Sequence, residues 1–341
     1  MYFLRTLTKN SPLYANIPMH SFSSLSERLA RAIDSLTFPQ SPALLYQPMR
    51  YALLSGGKRV RPALLLLCAD MFLQKVEQEH VDVSLGVELF HCFTLIHDDV
   101  MDKADLRRGH PTVVKKWGIN TAILSGDAML IEAYKLVCRA ANANALLAAF
   151  SKAATDVCEG QQLDVDFEEQ PAITEEQYFV MVGKKTAALL AAAAAMGAIA
   201  AEAPAADVQR LYDFAYSLGV AFQLRDDYLD VYADVAEFGK VTGGDIAAGK
   251  KTFLFVSTAA ALSGQERDEF LQLMQSGHLP ADEKVRRAKN FYAKANAAQR
   301  LKDAESKLLD AAMQNLALVN VPHERKEHLE RLALTLLQRT K

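Results

Sequence analysis

Leu95-Ile96-His97-Asp98-Asp99-Val100-Met101-Asp102 decides how this chain is read. The stretch lies inside a long helical pattern, yet it sets three carboxylates within five residues, just after the mostly apolar run Phe93 to Ile96. On a helix Asp98 and Asp102 stand one turn apart on one face, and Asp99 is about 100° round from Asp98. Carboxylates this close repel one another unless a cation or strong donors balance them. A bound metal ion is the first expectation, and a solvated acidic helix face is its plain alternative.

Farther along, Gln223-Leu224-Arg225-Asp226-Asp227-Tyr228-Leu229-Asp230 repeats the spacing DDxxD, again after an apolar approach from Leu218 to Phe222. Two oxygen-rich clusters at one spacing suit a pair of helices facing each other across a cavity. Hard oxygen ligands of this kind select Mg²⁺, which keeps several waters and is usually completed by substrate phosphates. The repetition makes a merely solvated face a poor explanation.

Basic stretches accompany the acidic ones. Ser55-Gly56-Gly57-Lys58-Arg59-Val60-Arg61-Pro62 places paired glycines and three cations just before the apolar helix Ala63 to Phe72. Glycine lets backbone approach an anion closely, and cations beside a helix N-terminus add to its positive end. Leu106-Arg107-Arg108-Gly109-His110-Pro111 follows the first acidic cluster, and guanidinium forks match phosphate oxygens. The helix of about Val83 to Asp105 is expected to end only near Gly109 and Pro111. His91, seven residues before Asp98, falls on nearly the same face; a hydrogen-bonded core role is its simpler explanation.

Gly183-Lys184-Lys185-Thr186 reads as the entry to an alanine-rich helix, and Phe238-Gly239-Lys240 through Gly249-Lys250-Lys251-Thr252 as a glycine- and lysine-rich loop that follows the second acidic cluster. Together these features describe a pocket that holds diphosphate at its mouth and hydrocarbon in its depth. Neutralising a diphosphate makes it a good leaving group, and the allylic cation left behind must be kept dry.

Composition agrees. Of 341 residues, 50% are hydrophobic, and glycine and proline are sparse within the periodic segments, which favours an all-α protein. A net charge of -3 gives no sign of nucleic-acid binding. Cys68, Cys92, Cys138 and Cys158 form no CxxC pair, so a reduced, cytoplasmic setting fits best. The apolar run Ala187 to Ala201 is too short and too alanine-rich for a membrane span and reads as a packed core helix.

Residues 1–26 lack Asp and Glu and resemble an organellar transit segment in composition. A start at Met19 behind a disordered extension is the preferred expectation, with 1–21 as an N-terminal extension and 22–341 as a single helical domain.

These motifs resemble the trans-isoprenyl diphosphate synthase family, which includes farnesyl and geranylgeranyl diphosphate synthases. The resemblance runs from about Tyr46 to Thr252 through GGKRVRP, DDxxD with RRGHP, GD, GQ, KT, FQLRDDYLD and GKVTGGDIAAGKKT, all in the family's order. It implies an antiparallel helical bundle around a deep central cavity, usually a homodimer. It also implies Mg-dependent head-to-tail condensation of isopentenyl diphosphate with allylic prenyl diphosphates.

Carried over by position, Asp98, Asp99, Asp102, Asp226 and Asp230 would hold about three Mg²⁺ ions. Arg107, Lys185, Lys240 and Lys250 would contact the allylic diphosphate. Lys58, Arg61, His91 and Arg108 would hold isopentenyl diphosphate, with Arg339 closing over it. Thr186 and Gln223 would steady the cation through their oxygens.

Phe93 lies about 7.5 Å down the helix axis from Asp98, with Phe90 one turn deeper. An aromatic five residues before an uninterrupted DDxxD resembles the pattern of some geranylgeranyl synthases. These two rings are therefore read as the floor that limits product length, favouring C20 over C15; core packing is the plain account of both. A class I terpene cyclase and a non-catalytic partner subunit are the competing readings. The isopentenyl site speaks against the first, and two intact acidic triplets against the second.

Overall fold

The computed structural model describes residues 19–233 and 242–338. The calls on Lys240 and Arg339 lie outside the described residues. Helices dominate, and the only β-structure among the described residues is a ribbon of two short strands, β1 (Leu106–Arg107) and β2 (His110–Pro111), paired antiparallel.

The chain divides into two compact units. One comprises residues up to Ser151 with Ala192–Leu211 and Val319–Leu329; the other comprises Lys152–Ala191, Tyr212–Leu318 and the residues from Glu330. Both draw on several stretches of chain, so no single cut in the sequence separates them.

In the first unit, α1 (Phe22–Ser35) buries Leu25, Leu29 and Ile33. The Ser21 side chain caps it by accepting from the Ser24 amide. Then come α2 (Ala43–Leu54), α3 (Val60–Asp70), the long α4 (Gln78–Met101), α5 (Val113–Trp117) and α6 (Ile119–Val137). α3 is buried along nearly all its length, from Pro62 to Asp70, and it starts where Arg59 adopts a left-handed conformation (φ 48). α4 packs most extensively on α6.

α4 stops earlier than the sequence predicts. Asp102 caps it, Lys103 turns left-handed (φ 51), and the amides of Lys103 and Ala104 return to the carbonyls of Val100 and Asp99. The turn satisfies the helix's last carbonyls before any glycine or proline is reached. Arg107 and Arg108 consequently sit on the ribbon, with Arg108 (φ 53) and Gly109 (φ 77) forming its bend.

Helix α7 (Ala143–Glu168) gives residues to both units, as do α9 (Ala188–Ala200) and α10 (Ala205–Tyr232). Before α9 come α8 (Glu175–Val182) and a π-helical turn at Gly183–Ala187. Gly183 to Thr186 is thus the interior of a helical stretch, Glu175–Ala200, instead of the helix entry read from the sequence. The stretch is apolar and long enough to cross a membrane (mean hydropathy 1.5), but 72% of its apolar window is buried inside the protein, as in a core helix.

The second unit continues with α11 (Gly244–Ala248), α12 (Phe253–Ala261), α13 (Gly264–Gln275), α14 (Ala281–Lys294) and α15 (Ala297–Leu318). Its core gathers Tyr178, Val220, Leu224, Phe253, Phe255, Phe270 and Tyr292. α16 (Glu327–Leu337) closes the described chain.

Candidate active site

In the first unit the two basic stretches meet. Arg108 Nη1 donates to the Gly56 carbonyl, and its guanidinium lies so close to Gly57 that any side chain there would collide with it. Gly57 also holds φ 128, a left-handed value that favours glycine. At the second residue of α3, Arg61 Nη1 donates to His91 Nε2 at 3.3 Å. Arginine has no acceptor atom, so His91 is the acceptor and is neutral. Burial, and then the charges of Arg61, Arg108 and Arg107, hold its pKa well below the usual value. Lys58, Arg61, His91 and Arg108 therefore come from α3, α4, the ribbon and the loop before α3 into one cationic neighbourhood.

A residue the sequence reading passed over sits beneath it. Glu88 on α4 is buried, its Oε1 lies 4.0 Å from Arg59 Nε, and its Oε2 has no hydrogen-bond partner. Burial raises its pKa, against the lowering pull of Arg59, Arg61 and Arg108. It counterbalances this group of guanidiniums from below.

Along the same helix the first triplet separates into two kinds of carboxylate. Asp99 is buried and accepts from Arg107 Nε at 2.7 Å. Asp98 is half-buried and Asp102 exposed. Burial raises the Asp99 pKa, and the adjacent guanidinium pulls it back. Asp99, about 100° round the helix from Asp98, is held in this ion pair, while Asp98 and Asp102 share another face.

Deeper along α4, the Phe90 and Phe93 rings lie 5.4 Å apart, Phe93 stands 4.6 Å from the His97 ring, and Phe90 5.3 Å from Phe150. Tyr134 extends the cluster, 4.9 Å from Phe150. Phe93 is thus both a core residue and the one of this pair nearer the acidic face.

The second unit holds the other half of the predicted residues. Within the π-helical turn, Lys184 pairs with Asp156 and Glu159. Lys185 donates instead to Asp164 Oδ2 at 2.5 Å. Gly160 of the GQ motif makes this turn possible: a side chain there would strike the backbone of Lys184 and Lys185. Thr186 Oγ1 lies 3.2 Å from Gln223 Oε1, which puts the two residues in direct contact.

On α10 the second triplet divides as the first does. Asp227 is buried, accepting from Tyr178 Oη (2.7 Å), the Phe253 amide (2.8 Å) and Gln223 Nε2 (3.0 Å). Its pKa is pushed up to about 7 by burial, although all three hydrogen bonds act to lower it. Asp226 and Asp230, one turn apart, stay half-buried.

Asp230 Oδ2 accepts from the Asp245 amide at 3.1 Å, and its carbonyl from the Gly243 amide at 2.6 Å. Asp245, another carboxylate the sequence reading left without a role, is pushed up to about 6 by burial and then by Asp230, with Lys250 lowering it and Asp164 and Asp226 raising it. The charge of Lys250 thus acts on Asp245.

Among the described residues no three His, Cys, Asp or Glu side chains converge to hold a metal by themselves. A hard divalent cation does not require such a cluster, because water and substrate phosphate complete its coordination. Pairs of accessible carboxylates one helical turn apart, Asp98 with Asp102 and Asp226 with Asp230, are a fitting donor set for Mg²⁺.

The sequence matches the family described as polyprenyl synthetase over residues 42–293. It is 38% identical to a short chain isoprenyl diphosphate synthase of Methanothermobacter thermautotrophicus, over 76% of this chain and 78% of the relative. It is 40% identical to a geranylgeranyl diphosphate synthase of Methanosarcina mazei, over 68% of this chain and 72% of the relative. A crystal structure of a geranylgeranyl pyrophosphate synthase superimposes with a TM-score of 0.89 at 38% identity, covering 95% of this chain and 100% of that one.

Proposed function

The chain belongs to the polyprenyl synthetase family, and we propose from that premise that it joins isopentenyl diphosphate head-to-tail to allylic diphosphates. The product is an all-trans prenyl diphosphate, geranylgeranyl diphosphate (C20) above all. The enzyme is a prenyltransferase of the isoprenoid-synthase fold. One observation carries the site assignment. In both acidic triplets the middle carboxylate, Asp99 or Asp227, is buried and occupied by protein donors, while the outer two remain on the accessible face.

The family works with Mg²⁺; when bound, the metal neutralises the departing diphosphate and so lowers the barrier to leaving. Asp98 and Asp102, and Asp226 and Asp230, are the groups we assign to it, with about three ions as the full complement. Asp99 joins that set through Arg107, which it orients.

Arg107, Lys185, Lys240 and Lys250 are assigned to the allylic diphosphate. Lys58, Arg61 and Arg108 supply the charge for isopentenyl diphosphate, and neutral His91 fixes the Arg61 fork. Thr186 and Gln223 turn oxygens toward the allylic carbon as positive charge develops there, which stabilises the cation more than the neutral ground state. The diphosphate released is then the base that takes the proton lost in forming the new double bond.

The aromatic cluster of Phe93 and Phe90 supports C20 as the stopping point. A homodimer is the assembly we infer, because α6 leaves apolar side chains uncovered: Ile119 (56% exposed), Leu124 (59%) and Ile131 (56%), the last two on one face. All four cysteines are free, in keeping with a cytoplasmic setting.

The test incubates purified protein with isopentenyl diphosphate, Mg²⁺ and, separately, dimethylallyl, geranyl and farnesyl diphosphates, and identifies the dephosphorylated alcohols by mass. Chains ending at C20 support the reading. A C15 stop retains the reaction and moves the floor. Cyclic hydrocarbon formed without isopentenyl diphosphate replaces it with a cyclase.

A further inference from the structure

We propose that Asp227 is a positioning residue that fixes the direction of a hydrogen-bond relay, Thr186 to Gln223 to Asp227, so that Thr186 offers only oxygen lone pairs to the developing allylic cation. The inference rests on the prenyltransferase reading above and deepens it, because Asp227 touches neither substrate nor metal in that assignment.

The direction follows from what each group can donate. Asp227 Oδ2 already receives the Tyr178 hydroxyl at 2.7 Å and the Phe253 amide at 2.8 Å, two donors aimed at one oxygen. In its ionised form Asp227 only accepts, so the atom of Gln223 that faces Oδ1 at 3.0 Å is its amide nitrogen. The Gln223 carbonyl oxygen must then point the other way, toward Thr186, where Oγ1 lies 3.2 Å from it.

Carbonyl oxygen cannot donate, so the Thr186 hydroxyl gives its only hydrogen to Gln223. Thr186 is left with lone pairs alone to offer. The hydrogen of each link points inward, toward the buried carboxylate.

Placement by the fold holds the relay rigid. Gln223 and Asp227 are one turn apart on α10, Tyr178 comes from α8, Thr186 from the π-helical turn and Phe253 from the start of α12. Tyr178 and Asp227 are 1% and 3% exposed, so water does not compete for the terminal acceptor. A freely rotating glutamine amide would as readily present NH₂ to a cation, which is repulsive; the buried carboxylate removes that choice.

Asp227→Asn reverses the direction while keeping the shape. The new carboxamide oxygen still receives Tyr178 and Phe253, leaving its NH₂ toward Gln223. Gln223 must turn its oxygen inward and its nitrogen outward, and the Thr186 hydrogen then faces the reacting carbon. Tyr178→Phe removes one donor without changing which atom of Gln223 faces Asp227, so it serves as the structural control.

The experiment measures, with Mg²⁺ present, the affinity for two unreactive analogues. One is an allylic thiodiphosphate, which is neutral at the reacting carbon. The other is an ammonium diphosphate that carries positive charge at that position. Asp227→Asn is expected to weaken the ammonium analogue at least about tenfold, and to leave the thiodiphosphate within about twofold. Tyr178→Phe is expected to lower thermal stability and leave the ratio of the two affinities unchanged.

Equal weakening of both analogues by Asp227→Asn, or weakening of neither, overturns the relay while leaving the functional reading in place. Wild-type protein that binds neither analogue overturns that reading and the relay with it. Should Asp227→Asn not fold, wild-type protein labelled with ¹⁵N-glutamine answers instead. One side-chain amide pair, lost in Gln223→Ala, should exchange slowly with solvent, and rapid exchange of that pair overturns the relay.

Discussion

Arg107 Nε donates to Asp99 Oδ1 across 2.7 Å, tying the ribbon that follows α4 back to the helix it leaves. The pair sets an arginine beside the accessible carboxylates Asp98 and Asp102 with its fork already oriented, which reduces the entropy lost when it grips a phosphate.

Asp99→Asn and Asp98→Ala should therefore fail differently. Charge-assisted hydrogen bonds contribute roughly 1.5–3 kcal/mol, so loosening Arg107 should raise the KM for the allylic substrate about tenfold with a smaller fall in kcat. Asp98→Ala, which removes a metal donor, should reduce turnover by about a thousandfold or more. Steady-state kinetics with titrated Mg²⁺ separates the two, and identical profiles would refute the division of the triplet.

At Gly57, alanine should weaken one substrate selectively. It must displace the Arg108 guanidinium and adopt φ 128, at a cost of roughly 1–3 kcal/mol for the backbone alone. The KM for isopentenyl diphosphate should rise and that for the allylic partner stay within about twofold, as initial rates at varied concentrations of each would record.

Phe93→Ala should lengthen the product. The ring touches His97 on one side and Phe90 on the other, so its loss opens a space continuous with the next turn of α4. Truncating a buried phenylalanine destabilises by about 3–5 kcal/mol, so Phe93→Leu is the companion that better preserves folding. Mass analysis of the alcohols decides; an unchanged product distribution in a folded variant removes Phe93 from the role.

His91 should impose an acid limit on stability. Burial and neighbouring arginines hold its folded pKa well below the ordinary 6.5. Below that pH the unfolded chain binds a proton that the folded protein refuses. Its contribution is therefore level above about pH 6.5 and falls on acidification by up to about 1.4 kcal/mol per pH unit until the folded pKa is reached. Urea unfolding at pH 7.5 and 5.5 should show a smaller acid loss in His91→Gln than in wild type; equal losses would count against a neutral buried His91.

The helical class and the paired acidic motifs were legible because both rest on short-range repeats: apolar residues at helical spacing, and carboxylates at i and i+4. Other features depend on the partner, which no local spacing reports. Asp98 and Asp99 are the same letter, and only Arg107 arriving on a ribbon distinguishes them. Tyr178 sits in an apolar run with no signal that its hydroxyl meets Asp227. Gly183-Lys184-Lys185-Thr186 has the chemistry of a helix start, and the close backbone approach of Gly160 that goes with a π-helical turn there lies more than twenty residues upstream.

That turn carries a constraint on length instead of composition. A π-helical turn holds one residue more than an α-helical one, and each residue advances a helix by about 100°. The surplus residue rotates everything after Ala187 relative to everything before Gly183, as a splice shifts the phase of a wave. Tyr178, whose hydroxyl meets Asp227, and the buried Ala188 to Ala191 thus hold orientations that an uninterrupted helix would turn by about 100° relative to each other. Between Gly183 and Ala187, losing a single residue would bring the two ends back into phase and pull one of them out of place, even with every other side chain kept.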